Sequence, residues 1–168
     1  MHDHQRLVGQ DNYRRYLPCG KLRVRVTKDD DAFELFARVC AAKTVGCHIT
    51  VSTPKGLRSG SLGAALALLD DSTETWGAGI EFVEESDEEL AATFAAKQTD
   101  RVRYAGERAP RSVLSSVQES GVFVARAPVL VEGRIELLWY IKEQSISHDY
   151  HRYGNLGDRG DEVRAPVE

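Results

Sequence analysis

Between residues 22 and 125 the chain switches, at even intervals, between short β-rich runs and stripes of helical period, and this alternation limits the fold more than any single motif. LRVRV (22–26), CHITVS (47–52), IEFVEE (80–85), RVRYA (101–105) and VFVA (122–125) read as five strands. The segments between them carry helix signals. Asp31 and Glu34 fit a capping box, after which Ala32, Phe36, Val39, Cys40 and Lys43 share one face and Gly46 supplies the stop. Leu62, Ala65, Leu66, Leu69, Thr73 and Trp76 form a second stripe, ended by Gly77 and Gly79. Ser86 and Glu89 form another capping box ahead of Leu90 and Phe94, and Pro110 opens a helix that buries Val113, Leu114 and Val117 before Gly121. Strands separated by helices of ten or more residues require crossover connections, hence a mainly parallel sheet covered on both faces. The expected fold is an α/β, three-layer, Rossmann-like sandwich of about five strands with a protruding C-terminal strand and tail.

The ends depart from this rhythm and suggest three regions: a polar connector (1–20), the sandwich (21–131), and a helix, strand and tail (132–168). EGRIELLWYIKEQ (132–144) reads as a short helix, and SISHDYHRY (145–153) as an extended strand outside the sheet's own order. A strand of that kind presents unpaired backbone groups and invites another chain or domain.

The net charge of −4 gives no global pull toward nucleic acid or an anionic membrane, and local pairs such as Arg14–Arg15 and Arg101/Arg103 are too sparse to reverse it. No apolar run approaches the ~20 residues of a membrane span, and the polar N-terminus lacks a secretory segment, so the expected location is cytoplasmic. Cys19, Cys40 and Cys47 show neither CxxC nor zinc-ligand spacing and read as buried free thiols.

Chemistry is sparse. A phosphate-binding turn needs glycine at a strand-to-helix junction, but the first junction is TKDDD, whose Asp29, Asp30 and Asp31 would repel a phosphate. The second junction holds Gly56, Gly60 and Gly63 with Lys55 and Arg58; it could hold an anion, or be a flexible loop easing a helix start. No cysteine has an activating partner, and Ser59 and Ser61 do not form a nucleophile elbow, so no catalytic residue is assigned. His148 and His151, three apart on a strand, would face opposite ways and could not share a metal; His2 and His4 stand in the opening MHDH, and no metal ligand is assigned. The acidic run 84–89 is accounted for by capping and the helix dipole. Tyr150, Arg152 and Tyr153 suit an interface better than a metal site.

EGRIELLWYIKEQSISHDYHRYGNLG and, near the start, LVGQDNYRRYLPCGKLRVRV carry a resemblance. The first is similar to the closing segment of long bifunctional proline utilization A proteins, and the second to the stretch that follows their aldehyde dehydrogenase module. The resemblance implies a C-terminal, aldehyde-dehydrogenase-like domain without that enzyme's chemistry, inactive by itself but part of a proline dehydrogenase/L-glutamate gamma-semialdehyde dehydrogenase, an oxidoreductase of proline catabolism. FAD and NAD would sit in the parent's other domains and none in this chain. Its partners would be those catalytic domains, against which it packs to close the tunnel of the 1-pyrroline-5-carboxylate intermediate and so serve substrate channeling. Docking would fall on Ser145, Ser147, Tyr150, His151, Arg152, Tyr153 and Asn155. Two other roles stay open: an NAD-binding part of a dehydrogenase acting through the Gly56–Gly63 loop, and a homo-oligomerisation module pairing through 145–153. The chain reads as either an excised domain or a split subunit.

Overall fold

The computed structural model describes residues 2, 3, 5–57, 59–73, 75 and 79–164. By its internal contacts the chain divides into two compact units, Pro18–Ile141 and the combination of Met1–Leu17 with Lys142–Glu168. His4, Arg58, Trp76 and Gly77 of the sequence reading lie outside the described residues.

The larger unit contains β3 (Lys21–Arg25), α1 (Ala32–Val45), β4 (His48–Thr53), α2 (Gly60–Thr73), β5 (Ile80–Glu84), α3 (Asp87–Ala95), β6 (Arg101–Arg103), α4 (Arg111–Ser120) and β7 (Phe123–Ala125). Its five strands form one sheet in the order β5-β4-β3-β6-β7, every pairing parallel. The expected five-stranded, Rossmann-like α/β sandwich is therefore present. Leu22 and Val24 lie in register with Ile49 and Val51 and form one apolar cluster with Leu35, Val39, Leu66 and Leu69 of α1 and α2. Val102 and Tyr104 join Leu90, Phe94 and Val113 of α3 and α4 in a second cluster. The two apolar layers thus draw on different strands, β3 and β4 for one and β6 with Tyr104 beyond it for the other, each strand turning its alternate residues to a single cluster.

Both capping boxes form as read. Asp31 accepts from the Glu34 amide at 2.7 Å and its own amide donates to Glu34 at 3.1 Å, while Ser86 and Glu89 do the same for α3. Gly46 takes φ 86° at the end of α1, a left-handed conformation that a side chain resists.

The buried face of α1 is rotated from the expected one: Val39 is buried and Phe36 packs against the core as read, whereas Ala32 is exposed. Cys40 is exposed, and Arg38 is fully buried together with Leu35, Val39, Ala41 and Ala42. The helix is turned because Arg38 finds a carboxylate and two strand carbonyls beneath it, as set out below. Cys19 and Cys47 are buried as expected; burial pushes the Cys47 thiol up to about 11.

The C-terminal helix is shorter than its pattern suggests. α5 (Gly133–Glu136) passes into one 3₁₀ turn (Leu137–Tyr140), and the chain is extended from Ile141. The carbonyls that would continue the helix are taken. Cys19 donates to the Tyr140 oxygen at 2.8 Å, and Arg101 donates to the oxygens of Trp139 and Ile141.

In the second unit β1 (His2–Asp3), β2 (Gln10–Pro18) and β8 (Ile141–Asp149) form a separate sheet in that order, with β1 antiparallel to β2. The strand read over 145–153 begins earlier and stops at Asp149. The amides of Tyr150 and His151 both donate to the Gly9 carbonyl, and the chain then turns through Tyr153 (φ 51°) and Gly154 (φ 81°). His151 is thus not on a strand, and its Nδ1 lies 3.0 Å from the Gly9 oxygen. No group of three metal-ligating side chains occurs among the described residues.

Candidate functional site

In an open parallel sheet, ligands collect outside the carboxyl ends of the strands where the order reverses. Here that point lies between β3, whose helix leads outward to β4, and β6, which continues to β7 on the other side. The loops after β3 (26–31) and after β6 (104–110) flank it.

A dinucleotide pyrophosphate would lie at the N-terminus of the first helix. That position is filled by the protein itself. Asp31 and Glu34 close the first turn of α1 with their own carboxylates. Asp30, 7% exposed, pairs with the buried guanidinium of Arg38 and accepts from Thr27 Oγ1 at 2.5 Å. Arg38 also donates to the carbonyls of Arg25 at 2.8 Å and Arg103 at 3.3 Å, the last residues of β3 and β6, so it ties the two strands together at the reversal. Arg108 reaches over from the β6 loop, donating to Asp30 at 2.7 Å and to Glu34 at 2.8 and 3.2 Å. These carboxylates hold the Arg108 pKa well above its ordinary value. The three-aspartate junction is therefore more than a repulsive loop: its central member pairs with two arginines, one of which Glu34 also pairs.

Beside this network lies a crevice of about 480 Å³ that includes Arg25, Pro54, Leu57, Tyr104 and Pro110 in its walls. Arg25 is 2% exposed and donates through Nη1 to Ser52 Oγ (2.8 Å) and the Glu85 carbonyl (3.0 Å), and through Nη2 to Asp87 (2.8 Å). The acidic run thus does more than cap α3, since Glu85 also accepts from Arg23 and Ser52. Burial pushes the Tyr104 phenol above its usual range, partly opposed by the Arg25 charge.

The second glycine-bearing junction lies on the same side of the sheet. Gly56 (φ 79°) and Gly60 (φ 71°) have open space where a Cβ would point, so their glycine serves backbone conformation and not a close approach. Gly63 is buried within α2, and Lys55 pairs with Glu89 at 3.1 Å.

The docking candidates divide. Ser147 donates to Asn12 at 2.6 Å, and the Tyr150 hydroxyl accepts from the Gly9 amide (2.9 Å) and from Arg164 (3.0 Å), with Arg159 stacked 3.8 Å above the ring. Tyr150 and His151 thereby hold their own unit together. Tyr153 is 98% exposed, and Ser145, Arg152 and Asn155 are exposed too. The sequence reading missed the clamp that orders this tail: Asp11 accepts from Arg159 at 2.8 and 3.1 Å and from Arg164 at 2.6 Å. The Arg159 and Arg164 contacts hold its carboxyl at about 2. It also missed Arg38, Tyr104 and Arg108, which no local pattern marks.

No helix is long and apolar enough to cross a membrane among the described residues. No protein-family model matches the chain, and no curated protein does. Among solved structures it is similar to an aldehyde dehydrogenase from Bacillus cereus (E194S mutant), with 20% identity, a TM-score of 0.52, and 69% of this chain covered against 24% of that one. AldH of Staphylococcus aureus matches with 19% identity and a TM-score of 0.49, covering 68% of this chain and 24% of that one. Proline utilization A from Corynebacterium freiburgense matches with 22% identity and a TM-score of 0.41, covering 86% of this chain and 11% of that one. The chain spans about a quarter of the length of these aldehyde dehydrogenases, and what it has in common with the Bacillus cereus enzyme is the Rossmann-like α/β fold.

Proposed function

We propose that this chain is a non-catalytic, Rossmann-like domain of a proline-catabolising bifunctional enzyme, packing against the catalytic modules and closing the path of the pyrroline-5-carboxylate intermediate. The observation that carries this reading is the filled phosphate seat: Asp30, Glu34, Arg38 and Arg108 satisfy one another where a pyrophosphate would need free N–H groups and free positive charge. The end motifs supply the connection to proline oxidation. β8 adds a docking element, since in the order β1-β2-β8 its second edge has no neighbour among the described residues.

Two measurements test the reading. Removing residues 144–168 from the bifunctional enzyme should leave proline oxidation intact and introduce a lag before NADH appears from proline. Coupled turnover without a lag would remove the proposed role. Calorimetry of the isolated chain with NAD should give no saturable heat. Micromolar binding would instead favour a dehydrogenase part that uses the loop of Gly56, Gly60 and Gly63.

A further inference from the structure

Loss of the phosphate seat does not close the crevice beside it. Its volume of about 480 Å³ falls among small-ligand pockets, roughly 300–1,000 Å³. Pro54, Leu57, Pro110 and Tyr104 give it an apolar side. Tyr104 is 1% exposed, and its hydroxyl has no hydrogen-bond partner among the described residues. A buried hydroxyl left in that state costs about 1–3 kcal/mol, so the wall of the crevice holds an uncommitted polar group. The adjacent Arg25 turns Nη1 to Ser52 and the Glu85 carbonyl and Nη2 to Asp87, and its charge partly opposes the rise in the Tyr104 pKa.

Charge then selects against anions. Arg25 and Arg108 are the two guanidinium groups of the lining, and each is matched by carboxylates within the protein. Asp29, Asp87 and Glu107 stand at the same rim, with Lys28 as the remaining cation. A phosphate reaching for the start of α1 would meet Asp31 and Glu34. An apolar ring with a hydrogen-bonding edge meets none of these objections.

We propose that the crevice at the carboxyl ends of β3 and β6 binds a neutral heteroaromatic compound of nucleoside size, its ring against Pro54, Leu57 and Pro110 and a polar atom bonded to the Tyr104 hydroxyl, and that it rejects the phosphorylated counterpart. The packing role and this site are independent, so the failure of one leaves the other standing.

The probes are adenosine and AMP, titrated into the isotope-labelled chain and followed through its backbone amide resonances. Adenosine should give saturable shifts centred on Leu57 and Tyr104, and AMP should bind at least about tenfold more weakly, a difference of about 1.4 kcal/mol. Tyr104→Phe should weaken adenosine by about fivefold without lowering the melting temperature, since it removes a hydroxyl that bonds to nothing in the free protein. Leu57→Trp, which fills the crevice from a half-buried position, should abolish the response in a chain that still folds. Three outcomes overturn the proposal: no saturable shift with adenosine up to about 10 mM, AMP binding as tightly as adenosine, or a Tyr104→Phe variant that melts lower because its hydroxyl was structural.

Discussion

The ion pair between Asp30 and Arg38 has both side chains fully withdrawn from solvent. Arg38 is fully buried with its charge; desolvation above all pulls its pKa down, with the nearby Arg103 charge acting the same way, and Asp30 opposes both. Removing one member of such a pair leaves the other uncompensated, so Asp30→Ala should cost about 3–5 kcal/mol in urea unfolding. Replacing the pair by Asp30→Leu with Arg38→Met should cost distinctly less, because no charge is then left stranded. Asp11 gives a second test at this scale. Its folded pKa of about 2 lies below the usual carboxyl value of 3.8, so its contribution is complete above 3.8 and disappears as the pH falls through about 2. Protection of the Arg159 and Gly160 amides from hydrogen exchange, relative to the unstructured rate at the same pH, should fall across that window. In Asp11→Asn the protection of these amides, measured against the unstructured exchange rate at each pH, should already be low at neutral pH and should not fall further with acid.

The elements owe their existence to local signals of different strength. Capping boxes at Asp31 and Ser86 satisfy orphan amides by themselves, which is why they could be read from four residues each. Ser86→Ala should lower stability by about 1 kcal/mol by thermal melting, and Ser86→Asp should retain most of it. Segments whose backbone bonds go to distant partners were less legible. The pattern at 132–144 satisfies a helix by period, yet Cys19 and Arg101 claim the carbonyls that a longer helix would need. The extended reading of 145–153 is correct only to Asp149, because Gly9, some 140 positions away, turns the chain at Tyr150. Periodicity gives the face of α1 only approximately: it selected Cys40, whereas burial follows the ion pair of Arg38.

For the molecule as a whole, the order of strands and helices along the chain already fixed a parallel five-stranded sheet, since crossovers of helical length admit little else. The absence of glycine at the first junction and its run of carboxylates gave, from the sequence alone, the expectation that a phosphate would be repelled there. What the chain could not reveal by itself was where those carboxylates go. Asp30 meets Arg38 eight residues on and Arg108 seventy-eight residues on, and Tyr104 is left without a partner beside a crevice walled by three different loops. Alternation and capping are properties of neighbouring residues, so they survive in the sequence. Charge pairing across a sheet and the shape of a crevice depend on which distant segments the fold brings together, and only the tertiary structure decides that.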